Sequence, residues 1–131
     1  MFYSGVRCDK PLGLSNGRIK NRGVTASSFW SILEAPWRGR LNTKRMGRRA
    51  GGWVARNQNT YQWLQVDYDG AMKITKINTQ GRSDADQWVT RYYLQYSTDG
   101  AHFVYVKSNG NNYVSINARA YNTWPLKHLT S

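Results

Sequence analysis

Apolar and polar side chains alternate in short stretches along the 131-residue chain, and no stretch shows an apolar stripe at helical spacing. In residues 62–68, Leu64, Val66 and Tyr68 share one face, and Gln65 and Asp67 share the other. Asp69-Gly70 then reads as a turn. Residues 72–80 form the next expected strand, where the three-residue step from Ile74 to Ile77 breaks the period of two and predicts a bulge. Residues 88–97 follow, with Tyr92, Leu94 and Tyr96 on one face. Asp99-Gly100 turns the chain into residues 101–107, where Phe103 and Tyr105 alternate with Val104 and Val106. Residues 24–28 make a further short β-prone piece, 109–112 a polar turn, and 113–131 at most one more strand. Short strands at this spacing predict an all-β sandwich or barrel.

Between the first two expected strands, residues 27–56 hold few β-branched side chains and many Gly, Arg and Trp. They read as long loops draped over the sheet, the kind of segment that usually carries function. A second polar loop, 82–87, sits between alternating segments. The length fits a single domain spanning 1–131. No run of 18 apolar residues predicts a membrane-crossing helix, and the opening residues carry no secretory leader pattern. Nineteen Lys and Arg against seven Asp and Glu give a net charge of +12, which favours anionic partners: acidic glycan, anionic lipid or nucleic acid.

Eight pieces occur in a characteristic order: Cys8-Asp9-Lys10-Pro11-Leu12-Gly13-Leu14, Val24-Thr25-Ala26-Ser27-Ser28, Arg40-Leu41-Asn42, Gly52-Trp53, Gln62-Trp63-Leu64-Gln65-Val66-Asp67, Thr79-Gln80-Gly81-Arg82, Trp88-Val89-Thr90 and Leu94-Gln95-Tyr96-Ser97-Thr98-Asp99-Gly100. The series resembles the discoidin family, also called the coagulation factor V/VIII type C domain, with a retinoschisin-type character around residues 80–96. It runs over about residues 8–110. The resemblance implies an all-β, galactose-binding-like jelly-roll β-sandwich with loops protruding as spikes from one end. It also implies an extracellular or cell-surface module for adhesion that binds phosphatidylserine membranes, carbohydrate, collagen or protein. The closing strands of the family are not recognisable in residues 113–131, which read as truncated or divergent. One mode in the family captures a terminal arginine with an acid a few residues before the Gln-Trp piece. Residues 55–60 hold no acid, so that mode is not expected here.

Three sets of side chains are candidates for binding. Phe29 and Trp30 follow the segment where the resemblance implies the first spike, and large apolar groups at a loop tip can enter a lipid boundary or stack on a sugar. Folding back onto the core is the alternative. Lys44, Arg45, Arg48 and Arg49 lie in a basic run suited to phosphate or sulfate, or else form a solvated loop. Arg82 offers a planar fork for a carboxylate or sulfate, and Asp84 and Asp86 offer acceptors for sugar hydroxyls. An ion pair inside that loop is the alternative for them. Trp37, Trp53, Trp63 and Trp88 are expected in the core.

Catalysis needs a positioned acid, base or nucleophile, and neither His102 nor His128 stands in such a motif. No cofactor loop and no metal-spaced Cys/His set is present, so we expect no enzyme, no cofactor and no metal. The expected function is a binding module whose loop tips meet anionic lipid or another cell-surface ligand. A lectin-like module for acidic or galactose-type glycans is the alternative, and nucleic-acid binding through the basic loop is the rival from another class. The resemblance implies a cysteine partner for Cys8 that this chain does not contain. We therefore expect a reactive Cys8 and low stability. Titration of the native protein with a thiol reagent should yield one reactive equivalent.

Overall fold

The computed structural model describes residues 10–107, 110, 113–115 and 122–125. Eight short strands occur among the described residues: β1 (Val24–Ala26), β2 (Leu64–Val66), β3 (Lys76–Thr79), β4 (Arg91–Tyr93), β5 (Gln95–Tyr96), β6 (Val104–Tyr105), β7 (Tyr113–Ser115) and β8 (Asn122–Pro125). They pair antiparallel as β1 with β2, β3 with β8, β4 with β7, and β5 with β6. The only helical turns among the described residues are 3₁₀ turns at Asn21–Gly23, Ile32–Glu34 and Pro36–Gly39. The all-β expectation therefore holds.

Most expected strands form, but shorter than the alternation suggested. β3 begins only at Lys76, so Ile74 lies outside the ladder and the change of phase needs no bulge. Within β3, Ile77 and Thr79 turn inward while Lys76 and Asn78 face solvent, a regular period of two. The expected strand over 88–97 is divided into β4 and β5 at Leu94, whose carbonyl accepts from the Val106 N–H at 2.8 Å. Both Asp-Gly turns occur: Asp69 and Gly70 have φ of 56° and 145°, and Gly100 has φ of 72°. The C-terminal part holds two strands where one was expected, because β8 adds to β3 from 43 residues along the chain (Lys76↔Pro125 to Thr79↔Asn122). Cys8 and His128 lie outside the described residues.

The buried apolar positions among the described residues are few and small. They are Ile19, Val24, Ala35, Pro36 and Ala50, in β1 and the turns at 13–20 and 35–50. A tight turn brings Ile19 there, with its N–H bonded to the Gly13 carbonyl at 3.0 Å. Gly13 has φ of 129°, and an added Cβ would press on the Arg18 side chain at 2.9 Å. Trp37 and Trp53 are half-buried, but Trp63 and Trp88 are 50% and 42% exposed, against expectation. Each lies just outside the ladder it was assigned to: Trp63 precedes β2, and Trp88 sits in the loop before β4.

Arg40 ties this small core to its neighbours. Its guanidinium donates to the carbonyls of Leu14 and Ile19, both at 2.7 Å, and to Asn21 Oδ1 at 3.0 Å. Partial burial lowers its pKa, so the cation carries a desolvation cost that these acceptors offset. Arg40→Met should keep the stem's packing and strand those acceptors. A loss of about 1–3 kcal/mol is expected in urea unfolding.

Candidate functional site

The first loop grows directly from the β1–β2 ladder. Beyond Ala26↔Leu64, the Ser27 N–H donates to the Trp63 carbonyl at 3.0 Å, and the Trp63 N–H donates to Ser27 Oγ at 3.0 Å. The hydroxyls of Ser27 and Ser28 both donate to Gln62 Oε1, at 2.8 and 2.5 Å. Ser28 also accepts from the Arg56 N–H (3.1 Å) and, through its carbonyl, from the Trp53 indole (3.0 Å). Two serines suit this point because short hydroxyl side chains can satisfy backbone groups as a strand ends.

Past Ser28 the main chain finds its partners inward. The Trp30 N–H donates to the Val54 carbonyl at 2.9 Å, and the Leu33 carbonyl accepts from the Ala50 N–H at 3.0 Å. Ser31 caps the turn at Ile32–Glu34, accepting from the Leu33 N–H and donating to Glu34 Oε2 at 2.6 Å. With the backbone satisfied on one side, the large side chains point the other way. Phe29 is 40%, Trp30 65% and Ile32 64% exposed.

The basic loop is held at its base and closed at its tip. Arg38 donates to the Ala50 carbonyl from Nε (2.8 Å) and Nη2 (2.6 Å), and Nη2 also reaches the Lys44 carbonyl at 2.7 Å. Between those anchors Met46 and Arg49 exchange N–H···O bonds of 3.1 and 3.0 Å around Gly47, whose φ is 60°. Lys44, Arg45, Arg48 and Arg49 are all exposed around this turn, with Met46 among them. The Ala50 N–H to Leu33 carbonyl bond joins the foot of this loop to the foot of the apolar loop.

The third loop buttresses the second. Arg82 pairs with Asp84 at 2.7 Å (Nε to Oδ1) and 3.1 Å (Nη2 to Oδ2), while its Nη1 donates to Gln87 Oε1 at 2.9 Å. Asp84 Oδ1 also accepts from the Gly51 N–H at 2.8 Å, and Ser83 Oγ donates to the Thr43 carbonyl at 2.8 Å. Arg82 and Asp84 thus hold each other and the base of the basic loop, which is the ion-pair alternative. Asp86 is exposed at the rim. Gly51 must be glycine here, because a Cβ would collide with Ser83 Oγ and with Asp84.

Three exposed side chains near these loops were not among the binding candidates: Tyr61 and Trp63 beside the first loop, Trp63 having been expected in the core, and Met46 in the second. Tyr61 follows six polar or small residues (55–60), a context in which an aromatic has nothing to pack on, and that was the available signal. Trp63 gave none, since its position beside a strand is equally that of a core residue.

Away from these loops, Ser97, Asp99 and His102 meet in the turn between β5 and β6. Asp99 lies in the middle, accepting from Ser97 Oγ (2.9 Å), from the N–H groups of Ala101 (2.9 Å) and His102 (2.8 Å), and contacting His102 Nδ1 at 2.6 Å. The bonds from the His102 N–H and ring, then the others, hold its carboxyl well below the usual range. The Ser97 hydroxyl also accepts from the Gly100 N–H at 2.9 Å, so the trio has the bonding of a side-chain-stabilised turn. Among the described residues no group of three His, Cys, Asp or Glu could hold a metal ion, and no helix is long and apolar enough to cross a membrane.

The F5/8 type C domain family matches residues 23–129. This chain belongs to that family. Coagulation factor V of Sus scrofa is 42% identical over 99 residues, covering 71% of this chain and 4% of that protein. Retinoschisin of Takifugu rubripes is 39% identical over 112 residues, covering 80% and 39%. Lactadherin of Rattus norvegicus is 32% identical over 112 residues, covering 82% and 26%. The chain thus spans less than half the length of each of these relatives. Discoidin II of Dictyostelium discoideum matches in structure with a TM-score of 0.73 at 23% identity, over 86% of this chain and 45% of that one. At that identity the likeness establishes the fold, the jelly-roll sandwich of the F5/8 type C domain.

In this F5/8 type C domain the Arg82 hydrogen bond, then the Gly51 N–H, pulls the Asp84 carboxyl down to about 2, and its side chain is 12% exposed. A carboxyl lowered on folding stabilises the fold above its unfolded pKa of about 3.9 and loses that contribution as pH falls through the folded value. Asp84→Asn should therefore lower stability at neutral pH and flatten the stability–pH curve between about pH 4 and about pH 2. Urea unfolding across that range measures both effects.

Proposed function

We propose that this domain is a non-catalytic binding module that docks on an anionic membrane surface, outside the cell or at its surface. One observation carries the reading: the exposed apolar tip of Phe29, Trp30 and Ile32 is hydrogen-bonded through Leu33 and Ala50 to a loop that exposes Lys44, Arg45, Arg48 and Arg49. The two kinds of group act on different parts of a bilayer. Lipid burial of an aromatic side chain contributes roughly 2–3 kcal/mol. Each cation near an anionic leaflet adds about 1 kcal/mol, screened within a Debye length. Neither gives a firm anchor alone, and together they reach the two-signal strength that stable docking requires. Membership of the F5/8 type C family and the position of these loops beyond the ends of β1 and β3 support the same reading.

In this arrangement Phe29 and Trp30 insert, and the four cations face phosphate or carboxylate headgroups. Arg82 and Asp84 set the shape of the basic loop, and Asp86 lies at the rim of the docking face. The sulfated-glycan and nucleic-acid readings need the cations and not the tip. Pelleting with phosphatidylcholine vesicles, with and without phosphatidylserine, separates them. The wild type should bind the anionic vesicles, and the double variant Phe29→Ala, Trp30→Ala should bind at least about 100-fold more weakly while keeping its melting temperature. Equal binding by the two proteins overturns membrane insertion, and binding to heparin or DNA alone replaces it with the polyanion readings.

A further inference from the structure

From the five bonds that bolt residues 56–63 to Ser27 and Ser28, we infer that Tyr61 and Trp63 form a second, shallower aromatic contact, a shelf that lies in the headgroup layer when the Phe29–Trp30 tip enters the bilayer. The inference rests on the membrane reading of this site and adds residues and an orientation to it.

Tyr61 is 84% and Trp63 50% exposed, the first among the most open aromatic side chains described. The ladder fixes their place. Ser27 exchanges hydrogen bonds with Trp63, and Ser28 donates to Gln62 Oε1, so the shelf stands level with the base of the tip loop. Gln62 Nε2 in turn donates to Asn59 Oδ1 at 2.8 Å, and the Tyr61 N–H to the same atom at 3.0 Å, which stiffens the approach to the shelf. The tip lies three residues beyond Ser27, at most about 10 Å at the rise of an extended chain. The interfacial layer occupied by amphipathic elements is roughly 5–10 Å deep. A tip at the acyl boundary therefore leaves the shelf among the headgroups.

Chemistry agrees with that depth. Tyrosine and tryptophan carry an apolar ring and one polar atom, and they prefer the boundary where one end is apolar and the other wet. Phe29 and Ile32, which have no polar atom on the side chain, suit the deeper position. The charge of this stretch of chain selects the occupant. Between Glu34 and Asp67 it holds seven cations and no acid, and five of them (Lys44, Arg45, Arg48, Arg49 and Arg56) are exposed. Arg56 stands beside the shelf, with its N–H on Ser28 Oγ. An anionic lipid surface complements both the rings and this charge.

The test uses wild-type protein and phosphatidylserine-containing vesicles with bromine placed near either the carbonyl end or the middle of the acyl chains, with tryptophan quenching as the readout. Trp63→Phe should remove part of the quenching by bromine near the carbonyl end and leave quenching from the chain middle unchanged. Tyr61→Ala, at an open position where folding is not at stake, should weaken vesicle binding by about fivefold. Undiminished shallow quenching in Trp63→Phe, or Tyr61→Ala binding within about twofold of wild type, overturns the shelf while wild-type binding stands. Wild-type protein that ignores the vesicles overturns the membrane reading and the shelf with it.

Discussion

The four backbone polar groups of Ala50 and Gly51 hold the functional end together. The Ala50 N–H meets the Leu33 carbonyl, and the Ala50 carbonyl receives two donors from Arg38. The Gly51 N–H meets Asp84, and the Gly51 carbonyl receives the Ser83 N–H at 3.3 Å. Three separate stretches of chain therefore share one dipeptide. Unpaired, each of these groups would cost about 1–3 kcal/mol where it is buried, so displacing any one stretch disturbs the others. The side chains fit the task. The Ala50 methyl fills the core, and the missing side chain of Gly51 makes room for Ser83 and Asp84.

This arrangement also sorts the positive charge. A net charge of +12 invites a picture of a uniformly basic surface. The structure divides it by role. Arg38, Arg40 and Arg82 point inward and act as forked donors to carbonyls or to a carboxylate, a task suited to the planar guanidinium. Lys44, Arg45, Arg48 and Arg49 are exposed around one turn and are among the charges open to a partner.

Much of this was legible in the residues, for identifiable reasons. The strands around Val24, Val66, Ile77 and Tyr92 were readable because alternation is local, and the two Asp-Gly turns because positive φ has a residue signature. The exposed apolar loop at Phe29–Trp30 was readable from its position just past a strand. The pairing of β8 with β3 was not, since a partner 43 residues away leaves no local pattern. Nor was the pairing of Arg82 with Asp84. Two opposite charges two residues apart fit a ligand site and an internal clasp equally well, and the Gly51 N–H that donates to Asp84 comes from a distant stretch of chain. Trp63 misled because adjacency to a strand says nothing about the side on which the ladder ends.

The turn from Met46 to Arg49 closes on itself, and Arg38 grips the chain on both sides of it, at Lys44 and Ala50. The residues between those grips bond to one another, with Arg45 Nε on the Gly47 carbonyl at 3.0 Å. Their side chains can therefore be rewritten, by evolution or by an engineer, while the two anchors of Arg38 stay in place.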